Sequence, residues 1–199
     1  INAIPFALAA LVALPGLSRL LPRWLLTWGA AAVMGGLFAA LLGYLPAVTV
    51  AAETKDALTF SLPWVASLGL SLSYYVDGLA LIFALVVTGV GTLILIYAGY
   101  YFDDADEHFR FTWQMLAFAG AMLGVVMSGN FIMTFIMWEL TSITSFLLIS
   151  FKGAKYESAR FAGFQALFVT GVGALAMIAG LVIMGIAAGQ ITDAGMIFD

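Results

Sequence analysis

The chain has no cysteine, one histidine, five prolines and little charge: Lys and Arg together number 7 and Asp and Glu 11 in 199 residues. Without cysteine there is no disulfide framework, no thiolate metal site and no cysteine nucleophile, and the composition carries no trace of a redox compartment. Seven basic residues spread along a chain of net charge -4 make no face for neutralising phosphates, which excludes nucleic acid as a partner. What fills the chain instead is apolar. Hydrophobic residues make up 64% and the mean hydropathy is +1.11, far outside the range of a water-soluble domain. The expected fold class is an all-α integral membrane protein, with the lipid bilayer as its solvent.

A bilayer core takes about 20 apolar residues of helix. Charge-poor runs of that length, bounded by charge, proline or turn residues, occur at roughly 2–18, 24–45, 76–98, 111–128, 131–151 and 160–188. Residues 1–199 therefore read as one membrane-embedded unit of about six transmembrane helices. Arg19 and Arg23 follow the first apolar run instead of preceding it, so that run reads as a membrane helix and not as a secretory signal. Because the chain does not begin with Met, a few residues are expected to precede Ile1. No charge separates the fourth run from the fifth between Phe111 and Trp138, but the turn cluster Ser128-Gly129-Asn130 predicts a tight helical hairpin there. The sixth run is long enough to tilt, or to break at a glycine. Gly120-x-x-x-Gly124 and Gly185-x-x-x-Gly189 permit close approach of helix backbones.

One apolar stretch does not read as a span. Leu58-Thr-Phe-Ser-Leu-Pro-Trp64 and Leu68-Gly-Leu-Ser-Leu-Ser-Tyr74 alternate with period two, and Pro63 interrupts the first run. An open sheet edge is not tolerated in hydrocarbon, so these segments predict a short extracellular β-hairpin between helices 2 and 3, covering helix ends. With the N-terminus outside, the inner loops hold Arg19, Arg23, Arg110, Lys152, Lys155 and Arg160 and the outer loops only Lys55. That bias predicts both termini on the outer side, where Asp193 and Asp199 have no basic neighbour.

Glu139 carries the functional reading. It falls in the middle of the fifth expected span, near the bilayer midplane, where an isolated carboxylate is costly and has to face protein or water. A cationic partner keeps such a group charged, and desolvation keeps it protonated. A carboxylate able to pass between these states carries a proton; one bonded permanently to a hydroxyl or lysine is structural. Ser142, one turn on and near the same face, and Thr141, Thr134 and Ser145 on adjacent faces, supply a polar path. Asp77, at the mouth of the third span, is a second candidate, with a helix N-cap as its structural alternative. Asp103-Asp-Ala-Asp-Glu-His108 holds four acids and the single histidine; it reads as a solvated loop, with a divalent-ion site as the alternative. Methionines are scattered through the spans as packing residues. No cofactor and no metal site is expected.

Trp138-Glu-Leu-Thr-Ser-Ile-Thr-Ser-Phe-Leu-Leu-Ile149 resembles the fifth-helix motif of the antiporter-like subunits shared by Mrp antiporters, respiratory complex I and related hydrogenases. Gly120-Ala-Met-Leu-Gly-Val-Val-Met-Ser-Gly-Asn130 is similar to that family's fourth helix. Val76-Asp-Gly-Leu-Ala-Leu-Ile-Phe83 and Gly89-Val-Gly-Thr-Leu-Ile94 are similar to its third. The form Trp-Glu-Leu-Thr-Ser looks most like the N-terminal part of the large A-type subunit of Mrp antiporters. The resemblance implies a component of a multisubunit Na+/H+ antiporter in the bacterial cytoplasmic membrane, with other membrane subunits, protons and monovalent cations as partners. Glu139 matches the family's helix-five glutamate, whose lysine partner on helix seven would lie beyond Asp199, and the chain is expected to be a fragment of a longer subunit. The alternatives are a proton-pumping subunit of a respiratory NADH:quinone oxidoreductase or hydrogenase, and a non-transporting membrane scaffold.

Overall fold

A computed structural model describes residues 1–14, 22–48, 58–65 and 70–191. The elements run α1 (Ala3–Val12), α2 (Arg23–Gly43), β1 (Leu58–Val65), β2 (Leu70–Val76), α3 (Gly78–Tyr101), α4 (Ala105–Val126), α5 (Phe131–Ile149) and α6 (Glu157–Ile191). Five helices, α2 to α6, are long and apolar enough to cross a membrane, which makes this a multi-pass membrane protein. The first expected span is represented by the ten residues of α1, about 15 Å of helix and too short by itself to cross hydrocarbon. Residues 15–18 of that span, and with them Arg19, Lys55, Leu68, Asp193 and Asp199, lie outside the described residues.

Helices α2 and α3 pair with each other, α3 with α4, α4 with both α1 and α5, and α5 with α6. Three apolar clusters occupy successive depths. Val12, Leu26 and Phe109 lie at one end; Ala30, Met34, Leu95, Leu116 and Ala119 lie in the middle; Leu41, Leu81, Ala84, Leu123 and Met127 lie at the other. Residues without bulk let the backbones meet. A Cβ on Gly120 would stand 3.1 Å from the Phe6 ring of α1, and one on Gly124 would stand 2.6 Å from Met137 Sδ of α5. The 35-residue α6 is unbroken, so its glycines do not interrupt it. At about 52 Å it exceeds the roughly 30 Å hydrocarbon thickness and would tilt or protrude. Large apolar side chains point outward along α3 and α6, among them Leu79, Val90, Leu93, Phe168 and Leu175, as expected where lipid or another protein replaces water.

The period-two stretch forms the expected antiparallel hairpin, pairing Leu58 with Val76 and Ser61 with Ser73. Its register shifts between Pro63 and Val65, where proline has no N–H to give to the ladder. Strand β2 is also tied down along the main chain. Tyr75 N–H donates to Met127 O (3.0 Å) and Gly129 N–H donates to Ser73 O (2.7 Å). Hairpin backbone groups that would otherwise be orphaned thus find partners on the turn between α4 and α5. Glycine allows that close approach: a Cβ at 129 would stand 3.0 Å from the Ser73 carbonyl carbon and Cβ, tighter than ordinary contact.

The acidic run departs from the expected loop. Helix α4 starts at Ala105, six residues before the expected start of its span, because the Asp104 carboxylate accepts the Asp106 N–H (3.2 Å) and Asp106 and Glu107 sit in the first turn. There they meet the positive end of the helix dipole. His108 is thereby carried into the interior, with no exposed surface. The earlier start also brings Arg110 inside α4. Arg23, Arg110, Lys152, Lys155 and Arg160 all lie at the end of the bundle opposite the hairpin.

Candidate functional site

Helix α5 begins at Asn130, whose side chain does two things. Its Oδ1 accepts the Met133 N–H (2.8 Å), capping the helix, and its Nδ2 donates to Ser71 O (2.7 Å) and Ser73 Oγ (3.2 Å) of β2. The start of α5 is therefore fixed against the hairpin. One face of α5 packs on α4 through Met137 and Gly124. Another packs on α6, where Phe146 lies 3.2 Å from the Cβ position of Gly163 and its ring is 5.3 Å from that of Phe164.

Glu139 sits near the middle of α5, seven residues before Phe146 and so on nearly the same side of the helix, the side turned toward α6. It is half-buried. Its Oε1 is shut off from solvent and has no hydrogen-bond partner among the described residues. Removing a carboxyl oxygen from water without a partner costs on the order of 1–3 kcal/mol, more when it is charged. The ion pair among the described residues is Arg160 with Glu157 (3.4 Å) at the start of α6, so no described cation compensates Glu139.

The neighbouring hydroxyls do not reach it. Thr141 Oγ1 donates to Trp138 O (2.6 Å), and Ser142 Oγ donates to the same carbonyl over a longer 3.3 Å. Thr134 and Thr144 donate to Asn130 O and Leu140 O in the same back-bonded way. Thr141 and Ser142 thus place their protons on their own helix and keep their lone pairs. Ser142 is buried, on the side of α5 nearest Glu139, and holds the weaker bond. It is the hydroxyl most easily turned toward the carboxyl group.

Asp77 is the N-cap of α3, its Oδ1 accepting the Ala80 N–H at 2.8 Å. It stands at the hairpin end of the bundle, whereas Glu139 lies about 12 Å along α5 from that end. The two carboxylates are not brought together. Nor do the acids of the 103–108 run converge: among the described residues no three His, Asp or Glu side chains gather as a metal cage would require.

A polar cluster at the basic end went unread in the sequence. Arg23 Nη1 donates to Asp103 O (2.9 Å) and Nη2 donates to Phe102 O, so one guanidinium from α2 closes the carbonyl end of α3. Thr27 Oγ1 lies 3.0 Å from Arg23 O and 3.4 Å from His108 Nε2, and His108 Nδ1 has no partner among the described residues. This contact depends on Gly99, where a Cβ would run into the Thr27 side chain. The available signal was Asp104-x-x-Glu107, a helix-start pattern that places His108 inside α4 instead of in a loop.

Comparison with known proteins places this arrangement. Residues 62–112 match the family model described as the N-terminus of chain 5 of NADH-ubiquinone oxidoreductase (complex I), and residues 128–197 match that described as the transmembrane region of NADH:quinone oxidoreductase/Mrp antiporter. The A/B-type subunit of a probable K(+)/H(+) antiporter from Rhizobium meliloti is 40% identical over 163 residues, which are 82% of this chain and 16% of that protein. The A-type subunit of the Na(+)/H(+) antiporter from Alkalihalophilus pseudofirmus is 35% identical over 194 residues, 97% of this chain and 23% of that one. The chain thus spans less than a quarter of either relative. Among solved structures, the Mrp complex from Dietzia sp. matches with a TM-score of 0.79 and 28% identity, over 94% of this chain and 19% of the matched one. The archaeal membrane-bound sulfane sulfur reductase shares the fold, with a TM-score of 0.70 and 21% identity over 94% of this chain and 27% of its own. The chain belongs to the antiporter-like membrane subunits common to Mrp antiporters and NADH:quinone oxidoreductase, and within them its likeness is to the A-type subunits of Mrp antiporters.

Proposed function

We propose that this chain forms part of a multisubunit monovalent cation/proton antiporter, a secondary transporter and not an enzyme, in which Glu139 takes up and releases the transported proton. The observation that carries this reading is the orphaned, solvent-excluded Oε1 of Glu139 midway along a membrane helix. A structural carboxylate would be satisfied by its neighbours, and here the nearest hydroxyls are turned to the backbone. A group left unsatisfied in one state is free to gain a donor or a proton in another. Ser142, and less directly Thr141, would supply a hydroxyl to the carboxyl group when its own bond opens. Asp77 acts as the α3 cap and takes no part in the path.

The named relatives favour antiport over respiratory pumping, since both are antiporter subunits, one for K(+) and one for Na(+). The chain would work with other membrane subunits in the bacterial cytoplasmic membrane. The gathering of Arg23, Arg110, Lys152, Lys155 and Arg160 opposite the hairpin supports that end as the inner one. The hairpin and both termini then lie on the outer side.

The test is Glu139→Gln in the full complex. The amide is nearly isosteric and buries no charge, so assembly is expected to be retained while cation-dependent proton flux in membrane vesicles falls sharply. Glu139→Asp should keep more flux than Gln. Undiminished flux in Glu139→Gln, at equal complex, would leave the residue a structural role only.

A further inference from the structure

Two openings follow one another along the outer seam between α2 and α3. At the basic end a cavity of about 450 Å³ is lined by Arg23, Trp24, Thr27, Trp28, Gly99 and Tyr100. Deeper along the same helices runs an apolar groove of about 500 Å³ lined by Gly35, Phe38, Gly89, Val90 and Leu93 among others. The groove exists because Gly35 and Gly89 contribute no side chain to its walls. From Arg23 to Gly35 the rise is about 18 Å, and from Tyr100 back to Gly89 about 16 Å. Half the thickness of a bilayer, headgroups included, is about 20 Å. The pair of openings therefore has the length and polarity profile of one lipid molecule lying along the protein.

The polar end carries both signs of charge. The bonds from Arg23 to Asp103 O and Phe102 O use two of its five N–H donors; Nε–H is enclosed, and one N–H on each of Nη1 and Nη2 is left for a headgroup. The residue it grips by the main chain is Asp103, whose side chain is exposed, as is that of Asp104. A headgroup with negative charge alone would meet these carboxylates. One that sets a phosphate beside Arg23 and an ammonium beside Asp103 satisfies both. Trp24, Trp28 and Tyr100 are 65%, 51% and 74% exposed and stand at the depth where amphipathic rings border headgroups.

We propose that the α2–α3 seam is a phospholipid site, taking a zwitterionic, amine-bearing headgroup at Arg23 and Asp103 and laying one acyl chain along Gly35, Phe38, Gly89 and Val90. The site stands apart from Glu139 and does not rest on the antiport reading. Its role is to hold α2 against α3 at the level where Arg23 closes the carbonyl end of α3.

The test uses the assembled complex in vesicles containing a trace of phosphatidylethanolamine with a diazirine midway along one acyl chain. After illumination and digestion, adducts should concentrate on the peptides carrying Gly35–Phe38 and Leu85–Leu93. Excess unlabelled phosphatidylethanolamine should compete and phosphatidylglycerol should not. Val90→Trp fills the groove from an exposed position, so folding is expected to survive while the adducts disappear. Arg23→Gln should weaken labelling about tenfold, the effect of losing one charge-assisted contact. Because that variant also loosens the end of α3, Trp28→Ala, another exposed lining residue, serves as a second headgroup variant and should lower labelling as well. Labelling spread evenly over the membrane helices, labelling unchanged by Val90→Trp, or equal competition by phosphatidylglycerol would each overturn the proposal. So would absence of adducts on both peptides, as when another subunit covers the seam.

Discussion

Replacing Asn130 separates its two bonds to the hairpin from its cap on α5. In Asn130→Ala all three hydrogen bonds go: the 2.8 Å cap to Met133 N–H and the donations to Ser71 O and Ser73 Oγ. Losing an N-cap costs about 1 kcal/mol. The Ser71 bond is worth about another 1 kcal/mol, and the longer Ser73 bond less. The sum is roughly 2–3 kcal/mol for local opening at this end of the bundle. Asn130→Asp keeps an oxygen for Met133 N–H, and its charge lies favourably at the start of α5, but it offers no N–H to Ser71. Only the hairpin share, about 1–2 kcal/mol, should then be lost. Hydrogen exchange of the full-length protein in detergent reads both parts. In the alanine variant the amides of Met133 and of β2 should both exchange faster, by about tenfold or more where exchange proceeds through local opening. In the aspartate variant β2 should loosen while Met133 stays protected. Equal loosening of Met133 in the two variants would refute the division of labour assigned to Asn130, and unchanged protection in both would refute the coupling of hairpin to α5.

Asp77→Asn should retain the α3 cap and Asp77→Ala should lose about 1 kcal/mol of stability, with proton flux in vesicles preserved at equal expression in both; loss of flux in the asparagine variant would move Asp77 into the path. Gly99→Val should lower the melting temperature of the purified full-length protein, since its Cβ would collide with the Thr27 side chain and overpacking costs about 1–3 kcal/mol. Thr27→Ala combined with Gly99→Val should recover part of that loss, and no recovery would place the clash elsewhere. A cysteine introduced at Lys155, followed on its own peptide by mass spectrometry, should react with an impermeant maleimide only from the inner side, and reaction from outside would reverse the orientation.

The helices from α2 to α6 were legible because membrane spans announce themselves by length and lack of charge, and the hairpin because Pro63 and strict alternation break that pattern. Ser128-Gly129-Asn130 reads as a turn, but its pairing with β2 does not show in the sequence, since main-chain bonds between distant segments leave no mark on side-chain periodicity. Glu139 was visible as an acid in an apolar run. That its neighbours Thr141 and Ser142 both turn to Trp138 O was not, because a hydroxyl's choice between backbone and side chain is settled by local geometry. The charge density of the 103–108 run points to a loop in water, whereas the capping pattern of Asp104 and Glu107 starts α4 there and carries His108 into the interior.

The two glycine contacts on α5 have a mechanical consequence. Met137 bears on Gly124 from one side, and Phe146 and Ser150 bear on Gly163 from another, so the helix behaves as a beam held at two separated supports with Glu139 between them. A beam pinned in this way resists both sliding and pivoting, because either motion drives a side chain into bare backbone at one support. Displacement at mid-length is then left to the glutamate side chain, whose three rotatable bonds can sweep a few ångströms while the helix axis stays still. Under the role proposed for Glu139, such a swing would need no rearrangement of the bundle, and its rate would follow the rotation of one side chain and the arrival of whatever donor meets it.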